Sequence, residues 1–271
     1  MSERFAFGVP LIARAVASDW PLVDRLLSLT LRSVLAQDDG DFAFVLAAHD
    51  RPAAWDMVAG DPRFELVLAD WTPQPPNAPN DDGGAKKWLV KQRVGASGGG
   101  LLMFLDGDDW VPRDLVRRAR GAVTDAHVGG VVSEGMALDW QSGRLCRFPL
   151  PGGFAGPFHS LCGSSTVARV TPGGADELAR DPHLVLGSHH QWPERAAELG
   201  VSLAAIPAAG LYMIGTGQNH SEHQSPVADW RRAITEAVRA AGEPLDTATA
   251  ASFGQNLPAL PDWPGEVVGL R

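Results

Sequence analysis

Apolar positions in the first hundred residues alternate between two rhythms. Unbroken runs read as strands covered on both faces: FAFGVPLI at 5–12, DFAFVLAAHD at 41–50, ELVLAD at 65–70 and LLMFLD at 101–106. Between them lie stretches of helical period. From Asp19 to Gln37, Leu22, Leu26, Leu29 and Val34 recur at helical spacing, with Asp19 as cap and Pro21 in the first turn. GAKKWLVKQRVGA reads as a second helix, and PRDLVRRARGAV, beginning at Pro112, as a third. WTPQPPNAPNDDGG has no period and reads as a loop. Strand, helix, strand, strand, helix, strand is the order of an α/β fold.

The second half continues in shorter pieces. HVGGVVSEGMALDW holds one or two strands, residues 149–157 a Gly/Pro loop, LCGSSTVARV a strand and ADELARD a helical turn. WPERAAELG is a short helix stopped by Gly200. VSLAAIP and GLYMIG read as two strands, and SPVADWRRAITEAVRAAG as a helix capped by Ser225 with Pro226 next. From Glu243 the chain is rich in Ala and Pro, and a tail that wraps the surface is expected. The division is one domain over residues 1–240 and a tail over 241–271.

Composition narrows the function. A net charge of −9 over 271 residues argues against a broad nucleic-acid or anionic-membrane surface. It leaves room for a local phosphate pocket in which a divalent cation supplies the positive charge. Two cysteines, Cys146 and Cys162, make neither a disulfide framework nor a structural zinc site and read as buried thiols. No run reaches the ~20 apolar residues of a membrane span. The nearest, VSLAAIPAAGLYMIG, is short and interrupted by Pro207. The start of the chain lacks the pattern of a signal peptide, and a soluble cytoplasmic protein is expected.

The strongest chemical signal is Asp106-Gly107-Asp108-Asp109 directly after an apolar strand. Carboxylates crowded at a strand end repel one another unless a cation joins them. Hard oxygen ligands suit Mg²⁺ or Mn²⁺, which keep positions open for substrate phosphates. The plainer alternative is an acidic turn capping the helix at Pro112, a role that Asp109 alone can fill. In open α/β sheets ligands gather beyond the carboxyl ends of strands, which places Asp50 and Asp106 in one crevice.

The string MFLDGDDWVPRDLV resembles the LDxDD segment of glycosyltransferase family two. LLSLTLRSVLAQDDGDFAFVLAAHD is similar to its first helix and second strand, GSHHQWPERAAELG to the segment before its late helix, and YMIGTGQNHS to its final strand. The resemblance spans roughly residues 5–223, with only the DxD segment specific. It implies a GT-A fold: α/β, with a mixed, mainly parallel sheet flanked by helices. It also implies transfer of a sugar from a nucleotide diphosphate sugar to a hydroxyl acceptor, with inversion. Carried over, Asp106 approaches the ribose, Asp108 binds Mn²⁺ or Mg²⁺, and Asp50 helps to hold the base.

Other residues follow from position. The family carries Glu-Asp in its late segment, the Asp being the general base; counting back from Arg195 finds Ser188 and His189 there. The base is then His189 or His190, since histidine titrates near operating pH. His220, after the last strand, is a candidate third metal ligand or diphosphate contact, ahead of His223. Lys86, Lys87 and Lys91 are the only lysines, and one of them, Lys87, is a phosphate-facing candidate, the alternative being a solvated helix face. Trp110 and Trp192 flank the residues assigned to the chemistry, Trp110 after the DxD segment and Trp192 after the two histidines, either to stack on a sugar or as core. Competing readings are a haloacid-dehalogenase-type phosphatase with Asp106 as nucleophile and a non-catalytic nucleotide-sugar-binding protein. A histidine zinc hydrolase built on His183, His189, His190 and His220 is more remote, because no HExxH spacing exists.

Overall fold

The computed structural model describes residues 3–75, 80–151, 154–218, 228–257 and 263. Nine strands form one sheet: β1 (Phe5–Pro10), β2 (Phe42–Ala48), β3 (Phe64–Leu68), β4 (Gly100–Phe104), β5 (His127–Asp139), β6 (Arg144–Arg147), β7 (Thr166–Val170), β8 (Ser202–Ile214) and β9 (Glu243–Pro244). The helices are α1 (Trp20–Leu35), α2 (Asp81–Ala96), α3 (Leu115–Ala122), α4 (Glu177–Arg180), α5 (Pro182–Leu186), α6 (Trp192–Leu199), α7 (Ala228–Ala241) and α8 (Thr247–Ser252). The sheet runs β3-β2-β1-β4-β7-β5-β6-β9, with β8 paired to β5. β3, β2, β1 and β4 are parallel; β7 joins β4 and β5 antiparallel; β5 and β8 run parallel through eleven paired positions. The expected mixed α/β sheet flanked by helices is present.

Alternation along β1 shows why the strands read as continuous apolar runs. Phe5, Phe7 and Val9 point to one face, where Leu27, Leu31 and Val34 of α1 and Val116 and Ala119 of α3 cover them. Ala6 points to the other face, packed with Val90 and Val94 of α2 and Trp192 and Ala196 of α6. Asp19 caps α1 by accepting the Leu22 N–H at 3.0 Å, and Gly200 ends α6 with φ of +68°.

Several elements depart from the periodicity. VSLAAIP and GLYMIG are one strand, β8, not two. Pro207 sits where the β5–β8 register shifts between Val132 and Glu134, so the missing N–H does not interrupt a regular ladder. HVGGVVSEGMALDW is likewise a single strand. Residues 243–257, expected as a surface tail outside the domain, pack inward instead. Leu245, Ala250, Phe253 and Leu257 are buried with Trp110, Leu138 and Met213, and Gln255 donates to the Leu29 carbonyl at 2.8 Å. Ser225 and Pro226 lie outside the described residues. Among the described residues no helix is long and apolar enough to cross a membrane.

One contact sets the loop above the site. Gly135 of β5 pairs with Gly210 of β8, and the Phe158 ring lies on this bare patch, fully buried. A Cβ at Gly135 would come within 2.1 Å of the ring, and one at Gly210 within 2.5 Å. Two adjacent glycines thus make the space that holds the start of the 158–165 loop. Gly135→Ala is expected to destabilise the protein in urea unfolding by about 1–3 kcal/mol, the usual cost of overpacking. Gly121→Ala on α3, where an added Cβ meets nothing within 4 Å, should be neutral or stabilising by up to about 1 kcal/mol. Equal effects at the two sites would refute the packing role of Phe158.

Candidate functional site

The segment after β4 is a tight acidic turn whose members point different ways. Asp109 turns inward and is fully buried. Its Oδ1 accepts the Met213 N–H of β8 at 2.9 Å, and its Oδ2 accepts the Cys162 S–H at 3.3 Å. Trp110 then pairs with Leu211 of β8, each N–H donating to the other's carbonyl at 3.1 Å. Burial, and next the charge of Asp106, push the Asp109 carboxyl up to about 7, while hydrogen bonds from Ser164, Met213 and Cys162 pull it down. Burial drives the Cys162 thiol well above its usual range, so it is an inert donor. The helix-capping role expected for Asp109 is not seen: Asp114 is the residue at the α3 N-cap, and Asp109 fastens β8.

Asp106 and Asp108 open instead on a cavity of about 410 Å³ beyond the carboxyl ends of β1 and β4. The Asp106 N–H is held by the Ser164 hydroxyl at 2.8 Å. Part of the lining comes from the end of β1, from α1 and from the start of α2, including Asp82, Lys86 and Lys87. The rest includes Leu161, Gly163, Ser188, His189, Tyr212 and Arg231.

The two candidate bases separate. His189 lines the cavity and His190 is exposed, its Nδ1 3.0 Å from the Ser188 hydroxyl. The Nδ1 of His189 lies 2.5 Å from the His159 carbonyl. A carbonyl only accepts, so Nδ1 carries the proton and Nε2 keeps its lone pair. Burial brings the His189 pKa down to about 4, against the raising effect of that hydrogen bond, and the ring is neutral at physiological pH. A Cβ on Gly163 would stand 3.3 Å from Asp106 Oδ2 and 3.9 Å from His189 Cδ2, so the carboxylate and the ring flank this glycine.

The lysines also divide. Lys86 is buried and donates to the Leu11 carbonyl at 2.6 Å and to Asp82. Desolvation lowers its pKa, against the pull of Asp82. Lys87 lines the cavity with its Nζ 5.3 Å from the centre of the Phe104 ring. Lys91 pairs with Asp181, away from the cavity. Asp82, unnoticed in the sequence, is a hub: it also accepts from the Trp71 indole at 2.9 Å and lies 3.7 Å from His49. Its place in the first turn of α2, four residues before Lys86, was the available signal. Asp50 stands at the end of β2 but off the cavity wall, accepting the Arg14 N–H at 2.8 Å.

Burial excludes two of the alternatives. Trp110 and Trp192 are buried core side chains and offer no face to a sugar. His183 belongs to no metal site: its ring nitrogens are buried between Phe104 and Trp192 without a hydrogen-bond partner among the described residues. Burial, with Lys87 and Lys91 nearby, holds its pKa at about 3. His220 and His223 lie outside the described residues. Among the described residues no three His, Cys, Asp or Glu side chains gather as a metal cluster. Asp106 and Asp108 on one cavity nonetheless fit Mg²⁺ or Mn²⁺, which bind through one or two carboxylates together with substrate phosphates.

Compared with known proteins, the chain matches no family profile and no curated sequence. Its fold is similar to that of a 4-diphosphocytidyl-2C-methyl-D-erythritol synthase, with TM-score 0.41 and 10% identity over 86% of this chain and 98% of that one. It is also similar to the inositol-1-phosphate CTP transferase from T. maritima, with TM-score 0.40 and 12% identity over 88% and 98% of the two chains. Likeness at this level carries no argument about activity.

Proposed function

We propose that the protein is a metal-dependent glycosyltransferase, moving a sugar from a nucleotide diphosphate sugar to a hydroxyl acceptor with inversion. The observation that carries this reading is the single cavity joining Asp106, Asp108, Lys86, Lys87 and His189. It sits where open α/β sheets receive nucleotides. Asp106 and Asp108 would hold the divalent cation, which when bound offsets the charge of the departing diphosphate. Lys87 adds a second basic group to the same lining, and Asp82 pairs with Lys86 beside it.

His189 supplies the base. Its Nδ1–H is committed to the His159 carbonyl, so the ring is fixed and Nε2 is the atom left to take the acceptor's proton. Burial keeps it unprotonated before the reaction. The acceptor oxygen then attacks the anomeric carbon as the bond to the diphosphate oxygen breaks, and its proton passes to Nε2. Asp50 is assigned to the nucleotide side through its position at the β2 end, and His190 is left to solvent. His220 is retained as a further ligand in this proposal.

Two outcomes are expected. Calorimetry should find UDP or GDP binding that requires Mn²⁺ or Mg²⁺ and weakens at least tenfold in Asp108→Ala, about 1.4 kcal/mol; equal affinity in the presence of chelator would exclude the role of the acid pair. Donor turnover should fall about a hundredfold or more in His189→Ala, with donor affinity nearly intact, and stay unchanged in His190→Ala. Turnover indifferent to both histidines would move the base elsewhere.

A further inference from the structure

The cavity that takes in the lysines holds one more cation, which the donor chemistry proposed above leaves unassigned. Arg231 stands near the start of α7, a helix pinned to the sheet by Arg239, which donates to buried Asp139 at 2.9 and 3.0 Å. Its Nη1 donates to the Leu161 carbonyl and to the Tyr212 hydroxyl, both at 3.1 Å. These partners are neutral, and among the described residues no carboxylate pairs with Arg231. Its Nε is buried with no hydrogen-bond partner among them. The side chain is half-buried on the cavity, and its planar fork matches carboxylate or phosphate.

Lys86 and Lys87 reach the cavity from α2, whereas Arg231 reaches it from α7, near enough to His189 for its charge to lower that ring's pKa. A molecule giving its hydroxyl to His189 would therefore have Arg231 within its own reach. Half-exposed Trp230 stands beside the guanidinium, 5.6 Å from its ring centre, and packs on Phe154, offering a flat apolar face. Resting on the transferase reading above, we infer that Arg231 selects the acceptor, a hydroxyl compound that also bears a carboxylate or a phosphate group.

The test is calorimetry on the full chain preloaded with Mn²⁺ and UDP or GDP, titrated with D-glucuronate, D-glucose 6-phosphate and D-glucose. At least one anionic sugar should bind ten times or more tighter than glucose, and which one does so separates carboxylate from phosphate. Arg231→Gln should abolish the preference while nucleotide affinity stays within about twofold. Tyr212→Phe, a milder change that removes one of the two bonds orienting the guanidinium, should reduce the preference several-fold and guards against a folding failure in the first variant. Three sugars binding alike, or none binding, overturns the inference. So does a tenfold loss of nucleotide affinity in Arg231→Gln, which would make Arg231 a diphosphate contact. If neither nucleotide binds the wild type, the transferase reading itself falls, a result distinct from the others.

Discussion

The site depends on one buried carboxylate. Asp109 is removed from water and offset by three donors, the Met213 N–H, the Cys162 thiol and Ser164. Each comes from a segment far away in the chain, β8 or the loop before β7. The bond therefore ties the turn after β4 to the other half of the sheet. Losing it would leave a buried backbone N–H without a partner, a cost of about 1–3 kcal/mol. The same inward turn of Asp109 is what leaves Asp106 and Asp108 facing the cavity. Of the three acids in the turn, one is spent on structure and two line the cavity.

That tie also brings chemically different residues onto one cavity. The turn after β4 and helix α2 contribute acids and lysines. The segment before α6, strand β8 and helix α7 contribute a neutral histidine, a tyrosine and an arginine. Ser164 accepts from the Asp106 N–H and is the neighbour of Gly163, which lies between Asp106 and His189. Phe158, seated on the Gly135–Gly210 pair, sets the height of this loop.

Much of this was legible from the chain. The apolar runs of β1, β2 and β4 and the period of α1 follow from burial on known faces, and Asp19, Pro21 and Gly200 mark helix ends by local chemistry. The DGDD turn stood out because acids rarely crowd a strand end. What could not be read depends on distant partners. β8 looked like two strands because Pro207 breaks a pattern, and only its pairing with β5 shows a tolerated shift. Lys86 and Lys87 are neighbours in sequence and both border the cavity; helical phase against the sheet decides that only the first is buried on Asp82. Arg231 has no local signature at all, and Phe253 was hidden in an Ala-rich tail whose few apolar residues find Trp110 only in the fold.

The most direct measurement is amide hydrogen exchange on the wild type and on Asp109→Ala. If Asp109 fastens the acidic turn to β8, the Met213, Leu211 and Trp110 amides should lose protection together, while those of β1, β2 and α1 keep theirs. Unchanged protection at Met213 and Trp110 would contradict the account, because the turn that presents Asp106 and Asp108 would then be held by something else.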